Sequence, residues 1–236
     1  MTDLTPVALL SGAGLPMISI ADALLTAGYD LVWHSPEPPP ASLCYHAERQ
    51  GKRLLRIQGE LHAPPAAAAL LRDIRQSMGQ LDLVVQIPQH RATLPFGSGH
   101  GDTIAQQLEP LADLAIAAAP LLEITQGSLI WLLDWPLLHQ QMDWQKQIAH
   151  ATLEEAVRAL AQELAPEIRV NAIRYPSYHL NPPPSDDPLQ QKRLLHQVAL
   201  KRPLHVEDIA DAVKYLASAR YLTGHILPLD GGYSRT

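Results

Sequence analysis

The stretch from Pro6 to His34, PVALLSGAGLPMISIADALLTAGYDLVWH, decides the fold. Pro6 to Leu10 is a short unbroken apolar run that ends in the turn Ser11-Gly12-Ala13-Gly14. From Ile18 to Ala27 apolar residues recur at helical spacing, and Gly28 closes the helix. Asp30 to His34 (DLVWH) is then a second apolar strand. Strands without polar alternation are covered on both faces. Strand, glycine turn, helix and strand in succession therefore predict a parallel sheet with helices packed over it.

The same alternation continues along the chain. A proline-rich loop, Ser35 to Pro40, follows the second strand. Further strands are expected at Leu54 to Gln58, Leu81 to Ile87, Ser128 to Leu133, Arg169 to Tyr175 and Ile226 to Leu229. Helices are expected at Ala66 to Met78, Thr103 to Ile124, Trp144 to Leu164, near Leu189 to Leu200, and at His205 to Ala217. The long helix Thr103 to Ile124 should kink before Pro110. His90 to Asp102, with Pro95 and three glycines, and the proline-rich His179 to Pro188 read as loops. No repeat, low-complexity tail or linker divides the chain. Residues 1–236 therefore read as a single Rossmann-like, doubly wound α/β domain: a mostly parallel seven-stranded sheet with helices on both faces.

Composition narrows the function classes. With 47% hydrophobic and 18% charged residues the chain has material for a substantial core, which excludes wholesale disorder. The net charge is −6 and no basic run tracks a phosphate backbone, so nucleic acid is not an expected partner. The single cysteine, Cys44, cannot close an intramolecular disulfide. No stretch approaches the roughly 20 apolar residues that span a bilayer, and the first residues carry no basic region, so a cytoplasmic protein without a membrane partner is expected. The eleven histidines are scattered. His90 with His100, and His139 with His150, lack the short ligand spacing of common zinc sites, so no metal is expected. Gly97-Ser98-Gly99-His100-Gly101 lies in a loop and not at the strand-to-helix elbow that a serine hydrolase needs.

From Thr152 to Pro176 the chain reads TLEEAVRALAQELAPEIRVNAIRYP, and from Lys201 to Gly232 KRPLHVEDIADAVKYLASARYLTGHILPLDGG. In this order the segments resemble the short-chain dehydrogenase/reductase superfamily, and LAPEIRVNAI is similar to its pteridine-reductase and dihydromonapterin-reductase branch. The resemblance implies that Asn171 ties a strand end, that Thr223-Gly224 makes a turn and that Asp230-Gly231-Gly232 closes the last strand in a tight bend.

It also implies a TGxxxGxG cradle for a dinucleotide after the first strand. The corresponding residues are Ser11-Gly12-Ala13-Gly14-Leu15-Pro16-Met17-Ile18. Gly12 stays, Pro16 and Ile18 replace the other two motif glycines, and Ile18 is expected to crowd the strand-helix contact. Ser11, Gly12 and Gly14 are the candidates for what remains of the cradle. The asparagine-alanine-glycine turn of the family is here Gln86-Ile87-Pro88-Gln89. Trp33-His34-Ser35-Pro36 supplies neither the arginine that selects NADP nor the aspartate that selects NAD. Glu60 stands in for the acidic residue near the adenine.

The catalytic set implied by the resemblance is replaced throughout. The serine position falls on Leu133, the tyrosine on Lys146, the lysine on His150 and the asparagine on Ala112. Leu133 cannot hydrogen-bond a carbonyl, and His150 is mostly neutral at pH 7. Lys146, with a reference pKa of about 10.4, would deliver a proton only if burial lowered it. Trp131, Asp134, Trp135 and His139 line what pocket remains. The expected function is therefore non-catalytic: binding, regulation or a role as an oligomer partner, with no cofactor. The alternative is an active reductase using NADP or NAD on a pterin-like or other carbonyl or imine substrate. The resemblance further implies a homo-oligomer (dimer or tetramer), or a hetero-oligomer with an active relative, through the two long helices. The run Leu111 to Leu122, apolar on more than one face, suits that role.

Overall fold

A computed structural model describes residues 5–61, 64–87, 100–134, 144–176, 195–196 and 198–233, with the side chains of 64, 100–107 and 144–146 left out of account. Seven strands form one sheet: β1 (Val7–Ser11), β2 (Asp30–Ser35), β3 (Leu54–Gln58), β4 (Leu83–Gln86), β5 (Ser128–Asp134), β6 (Arg169–Tyr175) and β7 (Ile226–Pro228). Their order across the sheet is β3-β2-β1-β4-β5-β6-β7 and every pairing is parallel. The reversal of order between β1 and β4 is the topological switch point, where open sheets of this kind leave a crevice at their carboxyl ends.

Six helices among the described residues cover both faces: α1 (Leu15–Thr26), α2 (Ala41–Arg49), α3 (Pro64–Met78), α4 (His100–Thr125), α5 (Trp144–Glu163) and α6 (Val206–Ser218). On one face Val7, Leu9, Val84, Leu129 and Trp131 pack against α3, α4 and α5. On the other, Ala8, Leu10, Val85, Ile130 and Ile173 pack against α1, α2 and α6. Strands β1, β2 and β4 are buried at every residue, as the unbroken apolar runs require. Among the described residues no helix is long and apolar enough to cross a membrane.

Several boundaries differ from the sequence reading. Helix α1 starts at Leu15, three residues before Ile18, because Gly14 caps it and Pro16 is tolerated in its first turn. Helix α2 was not anticipated: ASLCYHAER buries only Leu43 and Ala47 and so carries little periodic signal. Helix α4 begins at His100, inside the stretch read as a loop, and runs through Pro110 and Pro120. Most of the helix expected near Leu189 to Leu200, and the loop His179 to Pro188, lie outside the described residues.

The C-terminal motifs are tied together by polar side chains. Asn171, fully buried, donates through Nδ2 to the Leu222 carbonyl (2.9 Å) and accepts through Oδ1 from the His225 amide (3.0 Å). The Thr223 hydroxyl accepts from the Val170 amide, and Asp230 Oδ1 from the Gly232 amide, with Gly231 and Gly232 at positive φ. Arg169 reaches the carboxyl end of α6 and donates to the carbonyls of Leu216, Ala217 and Ala219 at 2.9, 2.9 and 3.0 Å. These are carbonyls that a helix end leaves without partners of its own, and a cation there also complements the helix dipole. Replacement by Met, Arg169→Met, keeps most of the apolar stem and removes the cap. It should lower stability by about 2 kcal/mol, read as a reduced urea midpoint with an unchanged slope.

Candidate functional site

The candidate site is the carboxyl edge of the central strands. Gly12 sits there with φ 145°, and a Cβ on it would lie 2.3 Å from the Ile87 carbonyl oxygen. The ends of β1 and β4 approach so closely that only glycine fits. The Ile87 amide donates to the Ser11 carbonyl at 2.8 Å, which fixes that approach. Gly12 is thus required by the sheet itself. Its own amide donates to the His34 carbonyl at 3.0 Å and does not point at the crevice as a free donor.

Gly14, at φ 108°, caps α1, and its carbonyl accepts from the Met17 amide at 3.2 Å. Pro16 has no N–H. The first turn of α1 therefore offers fewer amides to an anion than a helix N-terminus ordinarily does. Ile18 is exposed, contrary to the expectation that it crowds the strand-helix contact: Pro16, Met17, Ile20 and Ala21 take the inward positions, and Ile18 points away from the sheet.

Ser11 and His34 are directly opposite on β1 and β2, and Ser11 Oγ shares a 2.8 Å hydrogen bond with His34 Nδ1. Both side chains are buried, and burial holds the His34 imidazole below its ordinary pKa, so it is neutral near pH 7. The corner after β2 is closed by its own residues. Trp33 Nε1 donates to the Glu37 carbonyl at 2.9 Å, the Glu37 amide to Ser35 Oγ at 3.3 Å, and Gln58 Nε2 to the Pro36 carbonyl at 3.0 Å. Glu60 lies just after β3, half-buried.

Of the positions implied for catalysis, Leu133 is buried near the end of β5, paired with Arg174 on β6. Ala112 is half-buried in α4, and His150 half-buried in α5. Lys146 lies in the first turn of α5. Asp134 ends β5 opposite Tyr175, whose hydroxyl is pushed well above its ordinary pKa by burial and by the Asp134 charge. That phenol holds its proton across the physiological range. Trp135 and His139 lie outside the described residues.

Sequence reasoning missed the polar row that crosses the sheet here. His34, Ser11, Gln86 and Trp131 are neighbours in register on β2, β1, β4 and β5. Gln86 Nε2 donates to the Pro110 carbonyl of α4 at 2.8 Å, at the proline where a kink was expected. A row of this kind becomes visible only when strand order and register are known.

The family model described as Enoyl-(Acyl carrier protein) reductase matches residues 18–234. Dihydromonapterin reductases of Klebsiella pneumoniae and Escherichia coli are 34% identical over 91 residues, 37% of this chain and 37% of theirs. The match therefore spans little more than a third of those relatives. A solved structure from Sinorhizobium meliloti described as a short-chain alcohol dehydrogenase superposes with a TM-score of 0.83 at 25% identity, covering 99% of this chain and 98% of that one. A short-chain dehydrogenase/reductase from Brucella melitensis gives a TM-score of 0.79 at 22% identity over 97% and 96% of the two chains, a likeness of fold.

The buried imidazole makes stability depend on pH with a definite sign. The unfolded chain titrates His34 near 6.5 and the folded chain below that. On acidification the unfolded state takes up the proton first, so the stability His34 confers is present above about pH 6.5 and lost as pH falls below it. His34→Gln should flatten the fall in melting temperature between about pH 7.5 and pH 5.5. An undiminished slope would mean the imidazole is solvated.

Proposed function

Because the chain belongs to the short-chain dehydrogenase/reductase family, whose model spans nearly all of it, we propose that it is a cytoplasmic binding or regulatory member that has lost hydride transfer. The observation that carries this reading is Leu133. At the end of β5, where the resemblance implies a serine to hold the substrate oxygen, stands an aliphatic side chain sealed in the core. It neither donates nor accepts a hydrogen bond, so it cannot polarise a carbonyl.

The dinucleotide cradle supports the same conclusion. Ser11 is engaged by His34, the Gly12 amide by the His34 carbonyl, and Pro16 has no amide to offer. The corner after β2 is occupied by hydrogen bonds among Trp33, Ser35, Pro36, Glu37 and Gln58. At His150 and Ala112 neither a fixed cation nor a side-chain amide is available. A second reading, an NADPH- or NADH-dependent reductase of a pterin-like or other carbonyl or imine substrate, is favoured by the similarity over 91 residues to dihydromonapterin reductases. Calorimetric titration with NADPH and NADH separates the two. The proposal expects no saturable heat up to millimolar cofactor. Binding near micromolar, about 8 kcal/mol, together with cofactor consumption on a pterin, would overturn it.

The partner proposed is a second copy of this chain or an active relative, docked on α4 and α5. Within the run Leu111 to Leu122 the residues Leu111, Leu114, Ala115, Ala118, Leu121 and Leu122 face the core, which accounts for most of its apolarity. Ile116 and Ile124 of α4 and Ile148 of α5 remain exposed, at 64%, 75% and 46%. A charge at fully buried Ala115 would test the core. Ile116→Glu and Ile124→Glu test the surface, and should convert an oligomer to monomers in light scattering while changing stability by less than about 0.5 kcal/mol. Equal mass for wild type and both variants would remove these helices as the interface.

A further inference from the structure

Strand β3 is one edge of the sheet: among the described residues it pairs with β2 and with no other strand. The pairing is parallel, so successive residues turn their backbone groups alternately toward β2 and away from it. The Arg53 carbonyl accepts from the Leu31 amide at 2.9 Å, and the Gly59 amide donates to the Ser35 carbonyl at 3.4 Å. The odd-numbered residues therefore serve β2, and the amides and carbonyls of Leu54, Arg56 and Gln58 face outward. The opposite edge is built differently. There β7 has three residues and ends in Pro228, whereas β3 has five and no proline.

Basic residues collect at the β3 edge of an acidic chain. Residues 48–75 hold six of its 18 Lys and Arg but only three of its 24 Asp and Glu, so this stretch is positive where the whole chain is −6. Two of the six are engaged within the fold: Lys52 Nζ donates to the Gly28 carbonyl at 2.7 Å, and Arg53 pairs with buried Asp30 at 2.6 Å. The other four, Arg49, Arg56, Arg72 and Arg75, are exposed, and no carboxylate among the described residues pairs with them. Arg56 projects on the α2 side of β3, since Leu54, two residues earlier, packs into the cluster on that face. On the other face Arg53 Nη1 reaches the Ser77 carbonyl at 3.4 Å, which sets the end of α3 at the start of β3. Arg72 and Arg75 share a face near that end of the helix. Cations thus stand on both faces beside a row of open backbone groups.

An open strand edge is a template for another strand, and its charges select which one. A second copy docked edge to edge about a two-fold axis would set the same cations against each other. A nucleic acid would meet the cations but has no row of amides and carbonyls for Leu54, Arg56 and Gln58. An extended acidic peptide matches both features. We infer that the β3 edge is a docking site for an extended, acidic segment of a partner protein, which adds as a further strand about 4.8 Å from β3. Its backbone pairs with Leu54, Arg56 and Gln58. Its carboxylates meet Arg56 on one face and Arg72 and Arg75 on the other. This surface is separate from α4 and α5, and its role stands whether or not hydride transfer has been lost.

The test uses the full chain and a capped hexapeptide of alternating glutamate and threonine, with the lysine-for-glutamate peptide as its control. In ¹H–¹⁵N spectra the glutamate peptide should move the amide signals of Leu54, Arg56 and Gln58 and slow their exchange with solvent. The amides of Leu55 and Ile57, already bonded to β2, should change less. The lysine peptide should bind at least tenfold more weakly, and raising salt from about 50 to about 500 mM should weaken the glutamate peptide severalfold. Arg56→Gln and Arg75→Gln should each weaken it about threefold. Unmoved β3 signals at millimolar glutamate peptide, or an equal response to both peptides, overturns the proposal. Protection of the same amides that grows with protein concentration alone would assign the edge to a second copy. A response to a thymidine oligonucleotide but not to the glutamate peptide would assign it to nucleic acid, and either result also overturns the proposal. Because both peptides are tested on the unaltered protein, a variant that fails to fold does not decide the result.

Discussion

Strands β1, β2 and β4 have no wet side, and that sets the terms for everything around them. A strand covered on both faces must satisfy its amides and carbonyls within the sheet, so it needs a parallel neighbour on either edge and a helical layer above and below. The two hydrophobic clusters on opposite faces are this requirement met. It also limits what can happen at the carboxyl ends. A polar side chain on a central strand there has no ready access to water and must find a partner from the next strand or from a helix. Ser11 finds His34, and Gln86 finds the carbonyl of Pro110.

The close approach of β1 and β4 follows from the same constraint. Gly12 meets the Ile87 carbonyl with no room for a side chain, and its amide is taken by β2. The feature that looks most like a nucleotide motif in the sequence therefore has a complete structural explanation. A glycine at the end of β1 is needed whether or not a pyrophosphate ever lies above it. Farther along, Pro16 sits in the first turn of α1 and Ile18 is exposed. Exposed Ile18 costs the helix little, so nothing in the packing requires a glycine there.

How much of this was legible in the sequence depends on the range over which each signal acts. Strand β6 was read to its exact ends and β3 likewise, because short apolar runs bounded by turn residues are local signals. The ties made by Asn171, Thr223 and Asp230 were legible through the order of motifs in the C-terminal third. Helix α2 was not, since only Leu43 and Ala47 are buried and two inward residues make no periodicity. The start of α1 lies three residues ahead of the apolar periodicity that begins at Ile18, since Pro16 in a first helical turn costs no hydrogen bond. The site was less legible than the fold. That Leu133 is sealed, that Ser11 pairs with His34 and that Gln86 and Trp131 are left unmatched are consequences of register between strands separated by 23 to 75 positions, and no local pattern carries them.

The two ends of the sheet do different work. At the amino ends, Asp82 accepts from the Val7 amide and from Gln80, Asp30 accepts from the Arg53 amide and guanidinium, Lys52 donates to the Gly28 carbonyl, and Arg169 caps α6. These bonds fix where strands begin and how the last helix sits on them. None depends on a ligand. The residues at the carboxyl ends are a separate set, so a substitution among them leaves the supporting set intact. That supporting set is what a likeness of fold over nearly the full length of the chain reflects.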